Sequence, residues 1–146
     1  MATATAVKPS LTIKRRFKAP PEKVYAAWTR PEELGKWMGP EQVIGCNAEA
    51  DVRVGGVYHI QMLTPTEEHN VSGVYREVVP NEKLVFTWAW RSTPERESLV
   101  TILFKADGDG TLMTFIHEQF FDEDARDRHN HGWMGSFAKL EQYLNS

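Results

Sequence analysis

The sequence predicts an α+β fold of order β-α-α-β6-α, a curved antiparallel sheet wrapped around one long C-terminal helix. Three observations predict it. Residues 46 to 121 fall into short runs that alternate apolar with polar side chains, divided by turn chemistry at Gly55-Gly56, Pro80-Asn81 and Asp107-Gly108-Asp109-Gly110, which is the spacing of hairpins. Beyond Phe121 the period becomes helical, with His129, Trp133, Ser136, Phe137, Leu140 and Leu144 on one stripe. An antiparallel sheet with one apolar face hides that face, and the stripe of a lone helix, by curving around the helix.

Each element follows from its residues. LTIKRRFKA, 11 to 19, alternates Leu11, Ile13 and Phe17 with polar residues, as a half-buried strand does, and Pro20-Pro21 stop it. The prolines suit a first helical turn, after which Val24, Ala27 and Trp28 share a face, giving a short amphipathic helix. Thr29-Arg30-Pro31-Glu32 has capping-box spacing, so Thr29 is expected to cap a second short helix that ends at Gly39-Pro40. Six strands are expected near 46 to 54, 57 to 64, 69 to 79, 83 to 91, 97 to 106 and 111 to 120. Strand parity selects their inner set: Tyr58, Ile60 and Met62; Leu84, Phe86, Trp88 and Trp90; Val100, Ile102 and Phe104; Met113, Phe115 and His117. Asp122, Glu123 and Asp124 stand at the dipole-favoured start of the last helix.

At 146 residues, 41% hydrophobic and 25% charged, the chain suits one domain over 11 to 146 that follows a flexible stretch over 1 to 10. A net charge of -3 provides no global basic field for nucleic acid, and Lys14, Arg15, Arg16 and Lys18 alternate across the faces of one strand. The single cysteine, Cys46, excludes an internal disulfide. With no export signal and no long apolar run in view, a cytoplasmic protein without a membrane span is expected.

The motifs LTIKRRFKAPPEKVYAAWTRPEELGKWMGP (11 to 40), DVRVGGVYHI (51 to 60), GVYREVVPNEKLVFTWAW (73 to 90), GTLMTFIHEQF (110 to 120) and RHNHGWMGSFAKLEQYL (128 to 144) stand in consistent order from Leu11 to Leu144. Together they resemble the domain named after the activator of a heat-shock chaperone ATPase. That family belongs to the START-like (SRPBCC) helix-grip superfamily, with polyketide cyclases and lipid-transfer domains. The resemblance implies a helix-grip fold whose cavity takes a lipophilic or aromatic small molecule, lipid or polyketide-like. It covers only the activator's C-terminal domain, so co-chaperone activity does not follow from it. The chain departs from the family pattern at Arg30, where Asp is frequent, and at Met38, where a second Trp is common and a softer wall results.

Large aromatics on the inner faces favour a ligand cavity. Its expected walls are Trp28, Trp37, Met38, Tyr58, Met62, Tyr75, Trp88, Trp90, Phe115, Trp133 and Phe137, with His117 and His129 as polar anchors. The histidines carry two readings. As structural groups they hydrogen-bond neighbours and orient the helix; as functional groups they orient a ligand or serve as the acid or base of a cofactor-independent cyclase or dehydratase. A metal site is not expected: His129 and His131 lie about 200° apart on a helix, His59 has outward parity, and His69 reads as a turn residue. Arg15 and Glu77 are expected in rim salt bridges, Asp51 and Arg53 as an outer pair, and Glu118 outward.

No GxSxG is present, Cys46 has no recognisable base, and the GxG at 108 to 110 occupies a hairpin turn, so hydrolase, thiol-enzyme and nucleotide-dependent chemistry find no support. No cofactor is expected. The expected partner is a small hydrophobic ligand, bound by a monomer or weak homodimer. A chaperone partner would call for an apolar patch on the outer sheet, where Val57, Val85 and Leu103 look scattered.

Overall fold

The computed structural model describes residues 8–145, in the order β1 (Leu11–Phe17), α1 (Pro21–Thr29), α2 (Pro31–Trp37), β2 (Gly45–Ala50), β3 (Val57–Leu63), β4 (Glu68–Val79), β5 (Lys83–Trp90), β6 (Ser98–Asp107), β7 (Gly110–Glu118) and α3 (Glu123–Leu144). Residues 1–7 of the expected flexible stretch lie outside the described residues; beside them, the Pro9 carbonyl accepts from the Phe120 amide at 3.1 Å. β2 to β7 form an antiparallel meander, and β1 joins its β7 edge, giving the order β1-β7-β6-β5-β4-β3-β2. Every residue of the expected inner set is buried except Trp90, which is half-buried. Trp133, Ser136, Phe137, Leu140 and Leu144 of α3 are buried against them, so the curled sheet and helix close over one core.

Local chemistry explains the ends of these elements. Asp122 caps α3, its Oδ1 accepting from the Ala125 amide at 2.8 Å. Gln119, with φ of 65°, ends β7 and turns the chain toward that cap. In β4 the pairing with β5 slips between Tyr75 and Glu77, a bulge that bends the longest strand of the sheet.

Several expectations are corrected. Thr29 does not cap α2: it is still the last residue of α1, its hydroxyl donates to the Tyr25 carbonyl at 2.9 Å, and Arg30 joins the two helices without a side-chain cap. β2 stops at Ala50 because Arg53 N–H bonds to Asp51 O and Gly56 N–H to Arg53 O, turning the chain where a strand through 54 was expected. His69 belongs to β4, paired with Met62. Val85 is buried, whereas Val57 and Val74 are exposed cross-strand partners, so the outer face carries one small apolar pair. The expected rim pairs do form, Arg15 with Glu141 at 3.5 Å and Lys83 with Glu77 at 3.2 Å, as does the outer pair Arg53–Asp51 at 2.8 Å.

Candidate functional site

The concave face of the sheet is occupied differently at its two ends. At one end α1 and α2 insert Trp28 and Trp37, whose rings meet edge to face at 4.7 Å and contact Phe137. Trp28 also packs on Phe86, Phe115 and Trp133, leaving only a void of about 10 Å³ between Tyr58, Tyr75, Phe86, Trp88 and their neighbours, room for a single water. At the other end no helix plugs the sheet, and a cleft of about 520 Å³ opens to solvent under the first half of α3.

Of the residues expected as walls or anchors, Met38, Met62, Trp88, Trp90, His129 and Trp133 line this cleft. Trp28, Trp37, Tyr58, Tyr75, Phe115, His117 and Phe137 do not; they pack behind it as core. Further lining comes from the lip, through Gly39, Pro40, Gln42 and Val43, from Thr64 just after β3 and His69 on β4, from the β5–β6 loop with Ser92, Thr93 and Arg96, and from Phe120, Phe121 and Arg128 around the start of α3. The lip is tied to α3 from below. Ser136 Oγ accepts from the Gly39 amide at 3.1 Å, and Lys139 Nζ donates to Pro40 O at 2.8 Å and Val43 O at 3.1 Å. A Cβ at Gly135 would sit 3.4 Å from Pro40 Cα, so the lip approaches the helix there, whereas a Cβ at Gly132 would meet nothing within 4 Å. One glycine admits the lip; the other leaves space in the cleft.

The two histidines are fixed by donors that cannot be reversed. An indole N–H only donates, so Trp133, at 3.0 Å from His117 Nδ1, makes that nitrogen an acceptor and puts the ring proton on Nε2, where it donates to Ser98 Oγ at 2.7 Å. Ser98 Oγ in turn donates to the Trp88 carbonyl at 3.1 Å. Trp90 likewise donates to His129 Nε2 at 2.9 Å, and His129 Nδ1 donates to the Ala125 carbonyl at 2.7 Å. Phe120 packs on both imidazoles, with ring centroids 4.2 Å and 5.0 Å away. Burial, reinforced by the neighbouring His129, holds His117 well below the usual histidine range, and burial lowers His129 against the opposing bond to Ala125. Both rings are thus neutral, with every nitrogen engaged. As arranged they clamp α3 to β5, β6 and β7, and a proton abstraction by either would first have to break a clamp bond.

Other reactive groups lie apart. Burial raises the Cys46 thiol to about 11, which makes it a poor nucleophile. Among the described residues no cluster of three or more His, Cys, Asp or Glu comes together to hold a metal, and no helix is long and apolar enough to cross a membrane.

Comparison with known proteins adds the family. The model for Activator of Hsp90 ATPase homolog 1-like protein matches residues 18–145. The chain belongs to this family. The human Activator of 90 kDa heat shock protein ATPase homolog 1 is 25% identical over 124 residues, 85% of this chain, and the chain spans about a third (33%) of that relative's length. Crystal structures of a Chromobacterium violaceum protein (TM-score 0.83, 26% identity, 94% of this chain and 97% of that one) and of the AHSA1 protein from Silicibacter pomeroyi (TM-score 0.80, 26% identity, 94% and 98%) are similar along nearly their whole lengths. These two structures share with this chain the helix-grip arrangement of a curled antiparallel sheet and a C-terminal helix.

The lip and the β5–β6 loop escaped the sequence because loops carry no parity, and Arg128 because it stands off the apolar stripe of α3. Two signals were available: Gly39-Pro40 could be read as a bend that returns to the helix, and the Phe120-Phe121 pair places one of its rings outside the strand alternation.

Proposed function

We propose that this protein binds a hydrophobic or aromatic small molecule in the cleft under α3. The observation that carries the proposal is the cleft's size and lining. Its 520 Å³ falls within the roughly 300–1,000 Å³ of small-molecule sites, and Trp88, Trp90, Trp133 and Phe120 supply aromatic surface. The histidine clamps support the same reading. Engaged on both nitrogens, they hold Trp90 and Trp133 in place and suit preorganised binding better than acid–base turnover. Met38 and Met62 would adapt one wall to ligands of differing shape. A reducing, cytoplasmic setting accords with the free Cys46. The ATPase activation in the human relative's name is said of a protein of which this chain spans 33%, and the cleft does not depend on it.

A thermal-shift and tryptophan-quenching screen against fatty acids, sterols, polyketides and flavonoids tests the proposal. Binders raise the melting temperature with a dose dependence set by mass action and quench tryptophan emission together with it. A flat response across all four classes would refute it.

A further inference from the structure

The charge around the cleft narrows the ligand class, on the reading that the cleft binds a small molecule. The chain carries 20 Asp and Glu against 17 Lys and Arg, yet the lining contains Arg96 and Arg128 and not one carboxylate. Arg96 lies 3.9 Å over the Phe121 ring, which holds its guanidinium at the mouth, and it forms no ion pair among the described residues, the adjacent Glu97 pairing with Arg76 at 3.8 Å instead. Arg128 pairs with Asp124 at 3.1 Å, but the two side chains are 69% and 77% exposed, and such a pair yields readily to a better-placed anion. Glu67, which meets His69 at 3.0 Å, likewise stands outside the lining.

Inside, the polar atoms are mostly spent on the protein. Ser136 Oγ donates to Gly132 O and accepts from Gly39 N, while Ser98 and His129 are engaged as described. The Nε1 of the wall residue Trp88 is a buried donor with no acceptor. The permanent charges of the lining are therefore two cations at the mouth, Arg96 and Arg128, with no carboxylate beside them, while Gln42, Thr64, Ser92 and Thr93 are further, uncharged polar side chains. The geometry points to an amphipathic organic anion as the occupant: a planar aromatic or acyl body against Trp90 and Trp133, with an oxyanion at Arg96 and Arg128.

Two fluorescent probes of the same shape separate this from plain hydrophobic binding: 8-anilinonaphthalene-1-sulfonate, which is anionic, and N-phenyl-1-naphthylamine, which is neutral. With the full chain, the sulfonate should bind about tenfold more tightly than the amine, the scale of one charge-assisted hydrogen bond. Arg96→Gln should weaken that preference and the salt dependence of sulfonate binding while leaving the amine unchanged, Arg96→Lys should restore part of it, and Arg96→Gln combined with Arg128→Gln should erase both. Gly132→Leu, which fills the cleft, should abolish both signals. Equal affinity for the two probes, or an Arg96→Gln change that moves both alike or neither, would overturn the anion inference and leave the cleft proposal standing. Failure of both probes to bind would sink the anion inference and the cleft proposal together.

Discussion

Gly132 separates stability from function. It stands inside the 22-residue α3, where glycine costs about 1 kcal/mol relative to alanine. A methyl group there meets no atom within 4 Å, so nothing offsets the gain. Gly132→Ala should therefore stabilise the protein by about 1 kcal/mol, roughly 3 °C in melting temperature for a chain of this size. Gly132→Leu keeps most of that propensity gain and sends its side chain into the space that the ligand needs. The expected pair of results is a melting temperature at or above wild type, by calorimetry, and loss of binding in the fluorescence titration. Gly135 is the contrast. Its Cβ would lie 3.4 Å from Pro40 Cα and 3.5 Å from Glu41 N, so Gly135→Leu should push the lip away and lower both stability and binding. A Gly132→Leu protein that binds as wild type does would refute the placement of the ligand, and a fall in melting temperature for Gly132→Ala would refute the open space beside the helix.

Two further outcomes follow from the same geometry. His117 and His129 both have folded pKa values below the usual histidine value of 6.5, so below that pH the unfolded chain binds more protons than the folded one. Stability should be full above pH 6.5 and fall as the pH drops to 5.5, by up to about 1.4 kcal/mol per pH unit for each histidine, and urea midpoints at pH 7.5 and 5.5 that coincide would contradict the clamp. Asp122→Ala removes the cap of α3 at the mouth of the cleft and should cost about 1 kcal/mol, read as a shift in urea midpoint without a change in slope.

Much of the fold was legible because side-chain period is a local property with a global cause. Tyr58, Ile60 and Met62, or Val100, Ile102 and Phe104, could point only one way once one face was to be buried, and all six are in the core. What misled were features decided by neighbours in space. Thr29 has the spacing of a cap, but α1 continues through it and its hydroxyl turns back to Tyr25. His69 follows turn-like residues, yet pairing with Met62 draws it into β4. The candidate site was half legible for a related reason. Helical period for Trp28 and Phe137 and strand parity for Phe115 show that these rings face the interior, but whether an inward ring fills space or borders it depends on α1 and α2, which plug one end of the sheet and leave the other open. The loop residues that finish the cleft, Arg96 among them, have no period to read.

The most direct test of the binding site uses the five tryptophans as reporters that the fold has already sorted. Trp88, Trp90 and Trp133 line the cleft, whereas Trp37 is buried between the short helices and the core, its indole N–H bonded to the Ala27 carbonyl at 2.9 Å. Their indole signals in a ¹H–¹⁵N spectrum, titrated with 8-anilinonaphthalene-1-sulfonate, should divide accordingly: Trp88, Trp90 and Trp133 shift in a saturable, concerted manner while Trp37 stays in place. Shifts confined to Trp37, or a spectrum unmoved at saturating probe, would contradict a ligand site under α3.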